Sequence, residues 1–109
     1  MSERRVPDAI REFIDATNDA DSERFVAAFT DDAYLNDWGR EFRGHDGVRM
    51  WDRTDNIGKQ SHFEFVDASA GSEPGAWTVT VTVTGNGFNG TSPLAFVVRD
   101  GRIASLRIS

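Results

Sequence analysis

Three aspartates in one short stretch could carry out acid–base chemistry. The segment TDDAYLNDWGREFRGHDGV (30–48) places Asp31, Asp32 and Asp37 close to Trp38. A carboxylate surrounded by apolar side chains loses its hydration, which raises its pKa because the charged form is disfavoured. Such a group can take a proton from a carbon next to a carbonyl. Carboxylates on a wet surface do no such chemistry, so the question is which of the three, if any, lies in a cavity.

Two further side chains are candidate acids. Asp52 follows Trp51 in a segment with helical spacing, where it could pair with Asp37 as an acid–base couple or face water as an ordinary helix residue. Tyr34 is the only tyrosine, and strand alternation places it on the opposite face from Asp37. The spacing therefore disfavours Tyr34 and leaves both interpretations of Asp52 open.

The sequence predicts neither a metal site nor a cofactor. It contains no cysteine, and His45 and His62 are too far apart to form a paired ligand motif. The glycine-rich run GNGFNG (85–90) joins two predicted strands, so no helix N-terminus is available to bind a phosphate.

Charge and hydropathy exclude several classes of partner. The net charge is −6, and the basic residues are scattered, which argues against nucleic acids and anionic membranes. No run approaches the ~20 apolar residues of a membrane span. The first ten residues, MSERRVPDAI, lack the apolar core of a signal peptide, so we expect a cytoplasmic protein.

Helical spacing predicts three helices in the first half of the chain. The first begins near Pro7, and its apolar face consists of Ile10, Phe13, Ile14 and Thr17. The second is capped by Ser22, and its buried stripe consists of Phe25, Val26 and Phe29. A short hairpin, AYLND–REFRG with its turn at Trp38–Gly39, precedes the third helix. That helix opens at Gly44 and turns two apolar residues inward, Val48 and Trp51.

From residue 62 onwards the apolar pattern has a period of two, which is typical of strands. In SHFEFVDA the phenylalanines alternate with His62, and in AWTVTVTVTG the valines alternate with threonines. Two further strands follow, joined by a hairpin at Asp100–Gly101. The order predicts one α+β domain over residues 1–109, with helices covering one face of an antiparallel sheet. The other face carries Thr78, Thr80 and Thr82, and is either solvated or a homodimer interface.

This arrangement resembles the nuclear transport factor 2-like superfamily, and within it the SnoaL-like and ketosteroid-isomerase-like members. The resemblance rests on FIDATNDADSERFVAAFTDDAYLND, on the G-x-x-x-V opening of the third helix, and on LAFVVRDGRIASLRI near the end. It implies a cystatin-like cone, in which three N-terminal helices pack in a strongly curved, mostly antiparallel sheet around an apolar pocket. Ser109 follows the last strand closely, so we expect an open pocket mouth that a partner subunit caps.

The resemblance also implies roles for single residues. The family's general base lies five residues after an aspartate that opens the strand, which corresponds to Asp32 and Asp37 here. The family's two oxyanion donors fall on Phe13 and Leu94, which cannot donate a hydrogen bond, so steroid isomerisation itself is not expected. By family position the pocket is lined by Phe13, Trp38, Trp51, Leu94 and Phe96.

Three functions are compatible with these residues. The first is a cofactor-free isomerase, cyclase or dehydratase that acts on a small apolar carbonyl compound, with Asp37 as base. The second is a non-catalytic protein that binds a small apolar molecule, with Asp37 and Trp38 as a polar anchor. The third is an interaction module that dimerises through its sheet and has a filled core.

Overall fold

The computed structural model describes residues 6–109, which form a six-stranded sheet and three helices. Of the N-terminal segment considered above for a signal peptide, residues 1–5 lie outside the described residues. The elements are α1 (Asp8–Asn18), α2 (Ser22–Ala27), β1 (Phe29–Asp37), β2 (Arg40–Arg43), α3 (Gly44–Asp55), a 3₁₀ turn (Ile57–Lys59), β3 (His62–Ala70), β4 (Ala76–Thr84), β5 (Gly90–Arg99) and β6 (Arg102–Ile108). Within this part of the chain, no helix is long and apolar enough to cross a membrane.

The sheet has the strand order β2-β1-β6-β5-β4-β3, with β1 and β6 parallel and all other pairs antiparallel. Asp37 at the end of β1 pairs with Ile108 of β6, and Ile108 pairs with Leu94 of β5. Residues in register share one face of a sheet. The ends of β1 and β6 therefore lie beside the first half of β5, and this edge of the sheet becomes one wall of the candidate site.

The predicted apolar face of α1 is confirmed, because all four of its residues are buried. The predicted start of α2 is wrong. Asp21, not Ser22, is the N-cap, and its carboxylate accepts a hydrogen bond from the Arg24 N–H at 3.2 Å. Phe29 is buried as expected but opens β1 rather than closing α2, because the Ala28 carbonyl already accepts a hydrogen bond from the Ile103 N–H of β6.

The period-two pattern of β4 is confirmed. Its valines (Val79, Val81 and Val83) are buried, and its threonines are exposed or half-buried. β1 is longer than the predicted five residues, since it runs from Phe29 to Asp37. The turn at Trp38–Gly39 has positive φ at both positions, +52° and +91°, which is the geometry of a two-residue hairpin turn.

The core is built around the ring of Phe13, which is fully buried. Its ring stacks on Phe63 at 5.4 Å between centroids, and Phe25, Phe29 and Phe96 surround it at 5.1 to 6.1 Å. Offset and edge-to-face aromatic pairs are favourable beyond the area they bury. This cluster joins α1 to β1, β3 and β5.

A buried polar chain joins the three helices. Ser22 of α2 donates to Asp52 Oδ2 at 2.9 Å, and Asn56 Nδ2 donates to Asp52 Oδ1 at 3.2 Å and to Thr17 Oγ1 of α1 at 3.0 Å. Thr17 in turn donates to the Phe13 carbonyl at 2.9 Å. Asp52 is only 2% exposed, so the expectation of a surface aspartate is wrong, and its partners are structural.

The Asp52 network predicts a pH-dependent stability difference. Burial raises the pKa of Asp52, with the hydrogen bonds from Ser22 and Asn56 opposing the shift. The folded state therefore holds this proton more tightly than the unfolded chain, and the stabilisation fades as pH rises from about 4 through the folded pKa. Relative to wild type, Asp52→Asn should gain stability across that window. Asp52→Ala leaves three donors unpaired, Ser22 Oγ, Asn56 Nδ2 and the Ile57 N–H, and should lose about 1–3 kcal/mol throughout.

Urea unfolding at pH 4, 5.5 and 7 measures both differences. The matched control is Asp15→Asn on the exposed face of α1, which should stay within about 0.5 kcal/mol of wild type. A wild type that becomes more stable than Asp52→Asn as pH rises would contradict the assignment.

Candidate functional site

A cavity of about 370 Å³ lies between the end of β1, α3 and the first half of β5. Its wall includes four of the five residues named above as pocket lining, Phe13, Trp38, Trp51 and Leu94, and also Asp37. The fifth, Phe96, does not line it. Phe96 shares a strand face with Leu94 but lies two residues further along β5, where it packs edge-on against Phe13 and is 2% exposed.

The three aspartates of the first stretch lie in different places. The side chains of Asp31 and Asp32 are 85% and 72% exposed, and Asp32 forms an ion pair with Arg99 at 2.6 Å. That hydrogen bond lowers the pKa of Asp32. The side chain of Asp37 is only 15% exposed and lies on the cavity wall.

Asp37 is held through one of its two oxygens. The Trp51 indole N–H donates to Oδ2 at 3.0 Å, and Arg40 Nη2 donates to the same oxygen at 2.7 Å. Oδ1 accepts no hydrogen bond from any residue that the structure describes. The two donors fix the orientation of the carboxylate, and Oδ1 is left as an acceptor beside the cavity.

Arg40 bridges two carboxylates. Besides Asp37, it binds Asp55 of α3 through Nη2–Oδ1 at 3.0 Å and Nη1–Oδ2 at 3.3 Å. Burial alone would raise the pKa of Asp55, but hydrogen bonds from Thr54 and Arg40 outweigh it, so the pKa is lowered. Asp55 is therefore an ionised partner for Arg40. It is not a proton donor at neutral pH.

Two aromatic side chains stand at the rim of the cavity. Trp38 is 75% exposed on the β1–β2 turn, and Phe88 is 57% exposed on the β4–β5 connection. Both also belong to the cavity wall, so an apolar ligand that enters the cavity would meet them first.

The remaining candidates from the sequence lie outside the cavity. Asp52 belongs to the helix network and does not meet Asp37, so the proposed acid–base couple is not formed. Tyr34 is on the other strand face, where its hydroxyl donates to Glu41 at 2.7 Å. His62 is exposed, and His45 Nε2 lies 2.9 Å from the Phe29 carbonyl oxygen. From residue 6 onwards, no three acidic or histidine side chains are grouped to hold a metal.

The sequence analysis did not identify the polar residues of the cavity wall other than Asp37. They include Arg40, Asp55, Asn56, Lys59, Ser61 and Ser92. A signal existed for Arg40, because a two-residue hairpin at Trp38–Gly39 pairs Asp37 directly with Arg40. The others come from the end of α3, from the 3₁₀ turn and the residues that follow it, and from β5, and only the tertiary fold brings them to Asp37.

The indole hydrogen bond to Asp37 can be tested with two of the three tryptophans, Trp51 and Trp38. Trp51→Phe keeps an aromatic ring against Phe25 but removes the N–H, so it should lower the free energy of unfolding by about 2–3 kcal/mol. Trp38→Phe is the matched control, and at an exposed site it should change stability by no more than about 0.5 kcal/mol. Denaturant titration measures both. Equal effects of the two variants would show that the indole bond contributes nothing.

The comparisons with known proteins agree with this fold. A family model of the SnoaL-like domain matches residues 10–106. A comparison with curated protein sequences gives no significant match. Among solved structures, a candidate polyketide cyclase from Sinorhizobium meliloti matches over 100% of both chains, with 23% identity and a TM-score of 0.88.

Two further structures are similar. SalBIII, an epoxide hydrolase/cyclase-like enzyme in pyran ring formation of the polyether salinomycin, covers 93% of this chain and 86% of its own at 18% identity and a TM-score of 0.82. A Mycobacterium tuberculosis protein in complex with estradiol-17β-hemisuccinate covers 92% and 88% at 16% identity and a TM-score of 0.80. At such identities the likeness shows the fold alone. The family match over most of the chain shows that this protein belongs to the SnoaL-like domain family of the nuclear transport factor 2-like superfamily.

Proposed function

We propose that this protein is a cofactor-free acid–base enzyme of the isomerase or cyclase type, and that its substrate is a small apolar carbonyl compound. The observation that carries the proposal is the Asp37 carboxylate on the wall of a largely apolar cavity, held through Oδ2 with Oδ1 unpartnered. The family match and the similar cyclase structures support the same class of reaction.

Oδ1 of Asp37 would accept a proton from the carbon next to the carbonyl, and the electron pair of that C–H bond would move into an enolate. Where a C=C bond is conjugated with the enolate, the negative charge reaches a further carbon, and return of the same proton to that carbon gives an isomer and restores the carboxylate. Attack of the enolate carbon on a second carbonyl of the same molecule gives a ring, and the alkoxide then takes the proton from Asp37. Neither of these two reactions needs an oxidant or a cofactor.

We do not expect this protein to isomerise steroids. Phe13 and Leu94 both lie on the cavity wall, and neither side chain has a hydrogen-bond donor. Loss of a single oxyanion donor typically costs ~10²–10³-fold in rate. A substrate with a more acidic C–H bond than a simple steroid ketone suits this site better.

A non-catalytic binding protein is the alternative. It is favoured by the Arg40–Asp37 ion pair at 2.7 Å, because this contact gives Asp37 a structural role that needs no chemistry. The similar Mycobacterium tuberculosis protein is in complex with estradiol-17β-hemisuccinate, which supports a small-molecule ligand for this fold. On this account Asp37 and Trp38 anchor the ligand without reacting.

The two functions are separated by proton exchange at a ketone. 2-Tetralone, a bicyclic ketone with acidic protons next to the carbonyl, is incubated with the protein in D₂O and followed by NMR. We expect wild-type protein to accelerate the exchange. Asp37→Asn should lower the acceleration by about 10²–10⁴-fold, the usual contribution of a general base.

Asp31→Asn is the matched control, since it changes an exposed aspartate of the same stretch and should keep the full rate. Equal acceleration by wild type and Asp37→Asn would contradict Asp37 as base. Binding of 2-tetralone without any acceleration would favour the binding protein.

We further propose that the uncovered sheet face forms a homodimer interface. Val97 on this face is 40% exposed, and Thr78 pairs with Ala95 beside it. The two central strands of this face, β4 and β5, carry short side chains, with Arg107 on β6 and Glu64 on β3 flanking them. Short side chains at the centre suit a symmetric contact. The cytoplasmic location stays a prediction from the sequence.

Sedimentation measurements test the homodimer. Wild type should sediment at twice the mass of one chain, and Val97→Lys should shift it toward the monomer because it buries a charge in the contact. Met50→Lys changes an exposed apolar residue on α3 and is the control that should leave the dimer intact. A monomeric wild type at high protein concentration would exclude this interface.

A further inference from the structure

We propose that the Ser92 hydroxyl donates a hydrogen bond to the oxygen of the bound ligand, in the role that Phe13 and Leu94 cannot fill. The ligand is then an apolar ring compound with a carbonyl oxygen held at Ser92 and the neighbouring carbon held at Asp37. The catalytic part of this inference rests on the proposed function, whereas the binding part requires only the cavity.

Ser92 is a mostly buried residue, and its hydroxyl has no hydrogen-bond partner among the described residues. Its side chain lies on the cavity wall, the residue is 8% exposed, and no described residue forms a hydrogen bond with Oγ. Among the side chains of the described residues only Thr30 Oγ1 and Asn56 Oδ1 are sealed from solvent without a hydrogen-bond partner, so the Ser92 hydroxyl is open to the contents of the cavity. The partner available to this hydroxyl is whatever occupies the cavity.

The strand register places Ser92 across the cavity wall from Asp37. Asp37, Ile108 and Leu94 form one row across β1, β6 and β5, and Ser92 lies two residues before Leu94 on the same face. Two strand spacings and a two-residue rise separate the Cα atoms of Asp37 and Ser92 by roughly 12 Å. Both side chains point inward from these positions. Asp37 and Ser92 both line the cavity, so a ligand inside it can contact both side chains.

The local structure of β5 keeps Ser92 open to the cavity. The β5–β6 ladder begins at Leu94, so Thr91, Ser92 and Pro93 pair only with β4 among the described residues. Pro93 has no N–H, and it is tolerated here because its β6 side is unpaired. Ser92 therefore borders the cavity instead of being covered by a neighbouring strand.

The two other buried polar residues on the wall, Asn56 and Ser61, are less suitable donors, and Lys59 is an exposed residue. Both N–H bonds of the Asn56 amide are used, by Thr17 and Asp52, so the free Oδ1 can only accept. Ser61 is as buried as Ser92, at 7% exposure, but it stands next to Gly85 at the β4–β5 connection, away from the Asp37 row. Ser61 is thus a matched control on the same cavity.

Two ligands of nearly equal shape test the proposal. 2-Tetralone has a carbonyl oxygen that only accepts hydrogen bonds, and tetralin is the same bicycle without it. Dissociation constants for both are measured by NMR titration of wild type, Ser92→Ala and Ser61→Ala. We expect Ser92→Ala to weaken 2-tetralone by about 2- to 12-fold, the value of one hydrogen bond. Binding of tetralin, and of both ligands to Ser61→Ala, should be unchanged.

Any other pattern of binding overturns the inference. Equal weakening of both ligands would show that Ser92 acts through packing, and an effect of Ser61→Ala like that of Ser92→Ala would show no specific donor. Failure of both ligands to bind wild type would overturn it together with the ligand-binding part of the proposed function. The expected binding pattern without proton exchange would remove only the catalytic role of Asp37.

Discussion

The candidate site depends on the hydrogen bonds that hold Asp37 Oδ2 between the Trp51 indole and the Arg40 guanidinium. They join the end of β1 to α3 and to the start of β2, so one carboxylate fixes three elements at the edge of the cavity. Arg40 also binds Asp55 of α3, so two carboxylates face its single positive charge. The same contacts that orient Asp37 also leave Oδ1 without a hydrogen-bond partner among the described residues.

Aromatic packing and a buried chain of hydrogen bonds together keep the helices in position around this carboxylate. The aromatic rings around Phe13 attach α1 to the sheet, and the buried chain from Ser22 through Asp52 to Thr17 attaches α2 and α3 to α1. Apolar packing alone is non-directional, whereas each hydrogen bond of the chain requires one relative position of its helices. The combination holds α3, and therefore Trp51, at a fixed place beside Asp37.

Much of the fold could be predicted from local patterns, because period 3.6 in α1 and period two in β4 each report one buried face. The same patterns do not show how deeply a residue is buried or which residues it contacts. Phe96 and Leu94 share a face, but only Leu94 reaches the cavity, since the Phe13 ring fills the space above Phe96. Asp52 looked like a surface or pocket residue because its partners, Ser22 and Asn56, are set by helix packing. Ser92 gave no local signal, since a serine in a strand is usually solvated.

The most direct test of the account is a crystal structure of the protein with 2-tetralone bound. The account predicts the ligand inside the cavity, with its carbonyl oxygen within hydrogen-bond distance of Ser92 Oγ and the neighbouring carbon facing Asp37 Oδ1. Asp37 Oδ2 should keep its bonds to Trp51 and Arg40. A ligand bound elsewhere, or bound with its oxygen turned away from both side chains, would contradict the central claim that Asp37 and Ser92 form one site.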